Sequence, residues 1–473
     1  MKNISYKNKV ATVYLLTFFI NLVNMFIATI AFPTIGKALH ASFEELSWVA
    51  NIYSLALALV IPISAWLSDK YGLKKIFLLS VLGSLISIIF CGTATSIFQL
   101  LFWRFWQGVS GGLLIPVGQT MVYKEFPVNE RAKLSMLILS IASIAPAISP
   151  TIGGIIVDTL NWRWVFFINV PILALILYLA YAWLHESYAL KTSKFDFKGM
   201  CLISSALILV IYGLSSFKSI TNILQSGIYV VIGLLIMSIF YMHSIKHKSP
   251  ILDLEVIKNR LFSSGMIFYI FISGVFTGLS VLNIFLFQSV LGISAAKTGI
   301  LMLPFSLGAF LGIVIAGRLF NIIGPKPIGI VVLTIWILGL TILTFLSNKE
   351  QYNLALIAYF LLGIGSGTIS YIAQTISMLN TKDDDLSKAS AIWNLNRQLS
   401  FTLGVAIFTM IFQLLLNAFG IHLNGNFSFS LNLIKVFHYC FIIASVITIF
   451  PLVTVLYLNN KFILSLLGSK TYR

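Results

Sequence analysis

Fourteen stretches of this chain contain no Asp, Glu, Lys, Arg or His, and the shortest of them is 19 residues long. They are Val10–Gly36, Leu46–Ser68, Ile76–Trp103, Phe105–Tyr123, Leu134–Val157, Trp164–Leu184, Gly199–Phe217, Ser219–Met242, Leu261–Ala296, Thr298–Gly317, Pro327–Asn348, Gln351–Thr381, Gln398–Ile421 and Tyr439–Asn460. A helix rises 1.5 Å per residue, so about 20 residues cross a ~30 Å hydrocarbon layer. Each stretch can cross once; Leu261–Ala296 also absorbs loop residues. Backbone groups in lipid must pair within their own segment, which makes helices the default. The short alternating segments of a transmembrane barrel are not seen. Only 10% of the 473 residues are charged, against roughly 25% in a soluble domain. The expected fold is an all-α membrane protein of fourteen spans.

An even number of spans puts both termini on one side. With the termini in the cytoplasm, 24 of the 31 Lys and Arg fall on cytoplasmic segments, six lie outside (Lys37, Arg163, Lys218, Lys297, Lys349, Lys435) and Arg104 lies in the membrane. That is the bias of the positive-inside rule. The net charge of +17 is thereby explained by topology and attraction to anionic lipid, without a nucleic-acid partner. Cys91, Cys201 and Cys440 lie far apart inside spans and have neither disulfide nor metal spacing. Met1–Lys9, a basic head on an apolar run without a small-residue cleavage site, reads as the start of a retained first helix.

The chain echoes itself. Ala65–Lys74 after the second span and Gly317–Lys326 after the tenth place Leu, Asp or Asn, Gly and Lys at matching points, at a constant offset of 252. Gly108-Val109-Ser110-Gly111 and Gly363-Ile364-Gly365-Ser366 match at an offset of 255. Two similar six-helix bundles are expected, residues 1–190 and 249–473, with two additional transmembrane helices in 191–248. Repeated halves are the architecture of alternating-access carriers. The Gly363–Gly367 run has no preceding strand and no following Gly-Lys-Ser/Thr, so it reads as a packing face and not as a nucleotide loop.

These motifs resemble those of the major facilitator superfamily, within it the fourteen-helix drug:proton antiporters of the EmrB/QacA type. Ala65–Lys74, with Asp69, Gly72 and Lys74, is similar to the signature loop, and Gly317 and Gly324 stand in its second copy. Leu100–Gly112, with Arg104, Gln107 and Gly108, is similar to the fourth-helix motif. Ala145–Gly154, with Pro146, Pro150, Gly153 and Gly154, resembles the antiporter motif, although Ala145 and Ser149 replace glycines. Trp162–Pro171 is the sharpest marker of the fourteen-helix branch; Gln288-x-x-x-Gly292 and the stretch Asn394–Gln398 with Arg397 also fit it. The resemblance implies a secondary active exporter of small molecules, of the drug-efflux type, in the bacterial inner membrane. It further implies proton coupling and, in many relatives, a periplasmic adaptor and outer-membrane channel. No cofactor or metal is implied.

The residues can also be read without the resemblance. Asp69, where the second span leaves the membrane, can meet the free amides of a helix N-terminus. One reading is a latch to the start of span thirteen near Ser387–Ser390; the other is a solvated loop acid. Pro146 and Pro150 kink one helix, and Gly153 and Gly154 permit close packing, as a seal against proton leak or as packing alone. Burying Arg104 costs at least ~2.5 kcal/mol at the bilayer centre, which is met by facing a polar cavity or by snorkelling. Arg397 is a second cation, or an interface anchor. Asn24, Gln107, Gln119 and Gln288 can line a route or bond between helices.

The family's first helix commonly has an Asp nine residues before its terminal Pro; here that place, counted back from Pro33, is Asn24. Asn does not titrate. Proton coupling then falls to Asp158, to His438 or to the cargo. A cavity with Arg104 and Arg397 but no carboxylate favours an anionic, zwitterionic or neutral cargo, such as a carboxylate siderophore, over a lipophilic cation. An intramembrane transferase would need clustered His, Asp or Glu at membrane depth, and the histidines are scattered along the sequence. A receptor or scaffold leaves the paired loops unexplained.

Overall fold

The computed structural model describes residues 5–126, 128–186, 195–216, 223–247, 249–379, 386–421 and 431–466. Within helices, some side chains between 128 and 147 and between 386 and 390, and that of Ala65, lie outside the described set. Among the described residues every regular element is helical. In chain order they are α1 (Tyr6–Ile27), α2 (Phe32–Leu39), α3 (Phe43–Tyr71), α4 (Leu73–Gly92), α5 (Ile97–Glu125), α6 (Val128–Thr159), α7 (Trp164–Phe167) and α8 (Val170–Trp183). Then follow α9 (Phe197–Ser215), α10 (Ile223–Lys246), α11 (Arg260–Phe285), α12 (Ala295–Ile323), α13 (Pro325–Leu343), α14 (Tyr352–Leu379), α15 (Leu386–Ala418), α16 (Leu431–Leu456) and the short α17 (Asn460–Leu466).

Local chemistry sets the ends. Ser42 and Glu45 form a capping box at α3, which satisfies amides left free in a first turn. Ser96, Asn259 and Ser294 cap α5, α11 and α12 with their side-chain oxygens. The first apolar stretch bends through a short 3-10 turn at Thr29–Ala31, beside Pro33 near the start of α2. The stretch Leu261–Ala296 runs on from α11 as a π-turn at Leu286–Val290 and ends at Gly292, whose φ of +66° suits glycine.

Twelve helical segments among the described residues are long and apolar enough to cross a membrane. The fourteen expected spans are therefore met for twelve; α5 and α6 stand outside that group. Arg104, Gln107, Gln119 and several glycines dilute the apolar character of α5, and α6 contains side chains outside the described set. Large apolar side chains such as Leu79, Phe98, Tyr178, Leu224 and Tyr457 point outward. On a soluble protein such an array would be an aggregation hazard; in lipid it is the solvated surface.

The packing repeats. In the first set α3 lies on α5, α4 on α8 and α1 on α6; in the second α12 lies on α14, α13 on α16 and α11 on α15. The sets meet through α6 on α12 and α3 on α15, a related pair of contacts. Helices α9 and α10 pack on each other, and α9 also touches α3 and α15.

Candidate functional site

Gly108 and Gly112 of α5 face the carbonyls of Tyr53 and Leu57 so closely that a Cβ on either would collide with them. Gly363 and Gly367 of α14 face the carbonyls of Phe305 and Ala309 in the same way. The small residues let α5 press into α3 and α14 into α12. The Gly363–Gly367 run is thus a helix-packing face.

This closeness buries Arg104, which is 1% exposed. Its Nε donates to the Val49 carbonyl at 3.1 Å, and Nη1 donates to Gln107 Oε1 at 2.7 Å and to the Asn24 carbonyl at 3.4 Å. The guanidinium also lies 4.3 Å from the centre of the Tyr53 ring, a cation–π distance. Tyr53 in turn donates to Asn21 Oδ1 at 3.2 Å. The expectation that Arg104 faces an open polar cavity is corrected: carbonyls, an amide and a ring enclose it as a brace for α1, α3 and α5. The acceptors are dipoles, so the cation is held without a carboxylate. Among the described residues Gln107 keeps one buried donor, Nε2, without a partner, as does Gln398 on α15; such atoms are uncommon in native interiors.

A second group joins the two sets. Asp158 at the end of α6 accepts from the first amides of α12, Ala295 N–H at 3.2 Å and Ala296 N–H at 2.8 Å. Below it Gly154 abuts the Ala295 carbonyl and Gly299 abuts the Pro150 carbonyl, while Thr151 Oγ1 donates to the Gly299 carbonyl. Gly153 faces Ile27 and Ile30. Gln288 Nε2 donates to the Ile30 carbonyl at 3.0 Å, and Thr409 Oγ1 to Ser47 Oγ at 3.3 Å. These contacts all lie toward the end of the bundle carrying Glu44, Asp158 and Lys297. The Pro146 side chain lies outside the described residues.

Arg397 of α15 is half-buried, within electrostatic range of Tyr14 on α1 and Tyr269 on α11. It therefore stands between the sets. Gln119 is half-buried on α5. His438, about two turns into α16, has its Nε2 2.8 Å from the Leu346 carbonyl that follows α13, apart from the Arg104 group.

The two signature loops are built alike. Gly72 (φ +94°) and Gly324 (φ +80°) turn the chain where L-residues are strained. Lys74 Nζ donates to the Tyr181 carbonyl at 2.9 Å, and Lys326 Nζ donates to the Leu456 carbonyl. Glu186 accepts from the Lys74 and Lys75 amides, and Asn460 Oδ1 accepts from the Lys326 amide. Glu186 was not singled out by its sequence, because its partners lie more than 100 residues away. Gly317 lies near the Tyr371 ring. Asp69 is raised above the usual carboxylate range by burial, against the attraction of Lys124. The side chains of Ser387, Lys388 and Ser390, its expected latch partners, lie outside the described residues. In Trp162–Pro171, Arg163 stacks on Trp162 and donates to the Ala94 carbonyl at 3.1 Å, pinning the loop between α4 and α5.

The profile of the Major Facilitator Superfamily matches residues 14–405 and again 261–464. The chain belongs to this superfamily. Among curated superfamily relatives, Multidrug resistance protein 3 of Bacillus subtilis is 28% identical over 393 residues, 82% of this chain and 75% of the relative. MdtD of Escherichia coli, named as a multidrug resistance protein, is 26% identical over 402 residues, 82% of this chain and 83% of its own length. A peptide-complexed transporter of the POT family superposes with a TM-score of 0.68 at 14% identity, over 94% of this chain and 96% of that one. A bacterial Spinster homologue, solved inward-facing, superposes with a TM-score of 0.63 at 16% identity, over 99% and 98%. The protein is a membrane transporter and not an enzyme.

Proposed function

We propose that this chain is a proton-coupled exporter of the multidrug-efflux type, working by alternating access in the bacterial inner membrane. Residues 1–190 and 249–473 form the two moving bundles, 191–248 the extra pair, and α5 and α6 cross with the rest to give fourteen spans. The observation that carries the reading is the interlock of α6 with α12: glycines against carbonyls, capped by Asp158 on the Ala295 and Ala296 amides. Those contacts cross from one bundle to the other at a single end. With the basic loops in the cytoplasm, that end is the outer one, so this is the inward-facing state. The names of the relatives support drugs as cargo. Protons supply the driving force, each charge gaining about 2.3 kcal/mol per 100 mV; a periplasmic adaptor and outer-membrane channel complete the route.

A second reading, export of an anionic or polar metabolite such as a carboxylate siderophore, is favoured by Arg397. It stands between the bundles, and among the described residues it makes no hydrogen bond or ion pair, so a cargo carboxylate can pair with it. Flux in proteoliposomes with an imposed pH gradient tests both. Dye or drug movement that follows the gradient and stops with a protonophore supports the first reading. Movement of carboxylate cargo alone, lost in Arg397→Ala, supports the second; no gradient-dependent movement of either overturns proton-coupled export.

A further inference from the structure

The extra helix pair carries a cluster that none of the transport argument uses. His243 lies in the last turn of α10 and His247 just past its end, its N–H bonded to the His243 carbonyl, and Asp196 precedes α9, 47 residues earlier than His243. One donor atom from each of the three lies within 4.8 Å of the others. His243 Nε2 is 2.8 Å from Asp196 Oδ1, and the two imidazole centres are 5.0 Å apart.

We propose that Asp196, His243 and His247 form a binding site for a divalent transition-metal ion of the zinc type. Two imidazoles and one carboxylate suit such an ion, whereas Mg²⁺ and Ca²⁺ prefer oxygen shells. Histidines at i and i+4 present their rings on one helix face, which is the spacing by which a helix offers two ligands to one metal. Bonds of 2.0–2.1 Å in a tetrahedral shell put donor atoms about 3.3 Å apart, so a small outward shift of His243 and an inward one of His247 seat the ion. A water completes the shell.

The carboxylate is already oriented. Asp196 is 5% exposed and accepts from Gly199 N–H at 2.8 Å and Ile251 N–H at 3.2 Å. Backbone donors of this kind fix a ligand in the way that outer partners do in metal sites. Burial by itself disfavours its charge, yet these amides and His243 together hold the carboxyl below its ordinary range. In the metal-free form His247 Nδ1 accepts from Ser249 N–H at 3.2 Å, so metal binding through Nε2 moves a proton to Nδ1 and gives up that contact. The exposed Lys198 and Lys246 flank the cluster and lower the affinity expected of it. A bare Asp196–His243 ion pair has no use for the exposed His247; that residue separates the two explanations. A bound ion would clamp the start of α9, the end of α10 and, through Ile251, the segment entering the second bundle.

The test is calorimetric titration of ZnSO₄ into the tag-free full chain in nanodiscs, with thermal unfolding followed alongside. The expected result is one Zn²⁺ per chain, uncontested by Mg²⁺, with binding weakened at least about tenfold in Asp196→Asn, His243→Ala and His247→Ala. Zinc should raise the Tm of the parent and not of the His243→Ala/His247→Ala variant, while His247→Ala without metal should melt like the parent. Absence of saturable zinc uptake, or uptake that survives the double substitution, overturns the site.

Discussion

Gly108 and Gly363 occupy equivalent points 255 residues apart, each lying where a Cβ would strike a carbonyl of the partner helix, Tyr53 in one case and Phe305 in the other. The partners are themselves 252 residues apart. One helix-packing device has been used twice, and its geometry gives the first expectation. Gly108→Val and Gly363→Val should each force apart a backbone-close pair, at a cost of about 1–3 kcal/mol. Thermal unfolding in detergent measures this; a Tm matching the parent for either variant contradicts the equivalence.

Glu186 and Asn460 cap corresponding helices with a carboxylate and an amide. Glu186→Gln should therefore keep most of the cap on α4, and Glu186→Ala should lose about 1 kcal/mol. Hydrogen exchange at the Lys74 and Lys75 amides reads the difference. Equal protection in the two variants removes Glu186 from this role.

Arg104→Lys should not be conservative. An ammonium cannot span the Val49, Gln107 and Asn24 acceptors with the fixed fork of a guanidinium, and each buried acceptor left alone costs about 1–3 kcal/mol. Lower yield of folded protein and a lower Tm are expected, before any effect on transport. A fully stable Lys variant means that the brace is not needed.

Asp158→Asn removes a charge from the N-terminus of α12, where a carboxylate is worth about 1 kcal/mol, or roughly fivefold in the ratio of the two states. Spin labels at Leu160 and Ser294 should report more of a separated population at this end. An unchanged distance distribution shows that Asp158 does not hold it.

Asp69 gives a pH signature. Its carboxyl is raised on folding, so the folded form holds the proton more tightly than the unfolded one. The resulting stability is complete below the unfolded value of about 3.9 and is lost as pH rises through the folded value. Asp69→Asn should flatten the Tm profile above about pH 4, while charge reversal at Asp69 should reduce flux. A profile identical to the parent's shows that partial burial of Asp69 does not raise its carboxyl.

Much of the architecture was legible because it is written locally. Charge-free length marked the twelve apolar helical segments, and Gly72, Lys74, Gly324 and Lys326 betrayed the repeat at a fixed offset. Where a motif's residues serve one another nearby, as with Arg104 and Gln107, a reader can pair them. The enclosure of Arg104 was hidden, because its other acceptors are backbone carbonyls of Val49 and Asn24, and every residue has one. The capping role of Asp158 was hidden for the same reason: its partners are two alanine amides on another helix. The Asp196–His243 contact joins helices whose order in space no periodicity announces. The two long helices that stand outside the apolar twelve, α5 and α6, are those in which polar or small residues replace oil.

The junction between α6 and α12 is made of glycine, threonine, carbonyl and amide, with the carboxylate of Asp158 at its end. Its glycine–carbonyl contacts carry no net charge and are little touched by mobile ions, whereas the exposed carboxylate of Asp158 on the first amides of α12 is open to screening. Salt should therefore act on this junction through one residue, loosening the Asp158 cap while leaving the packed glycines beneath it in place.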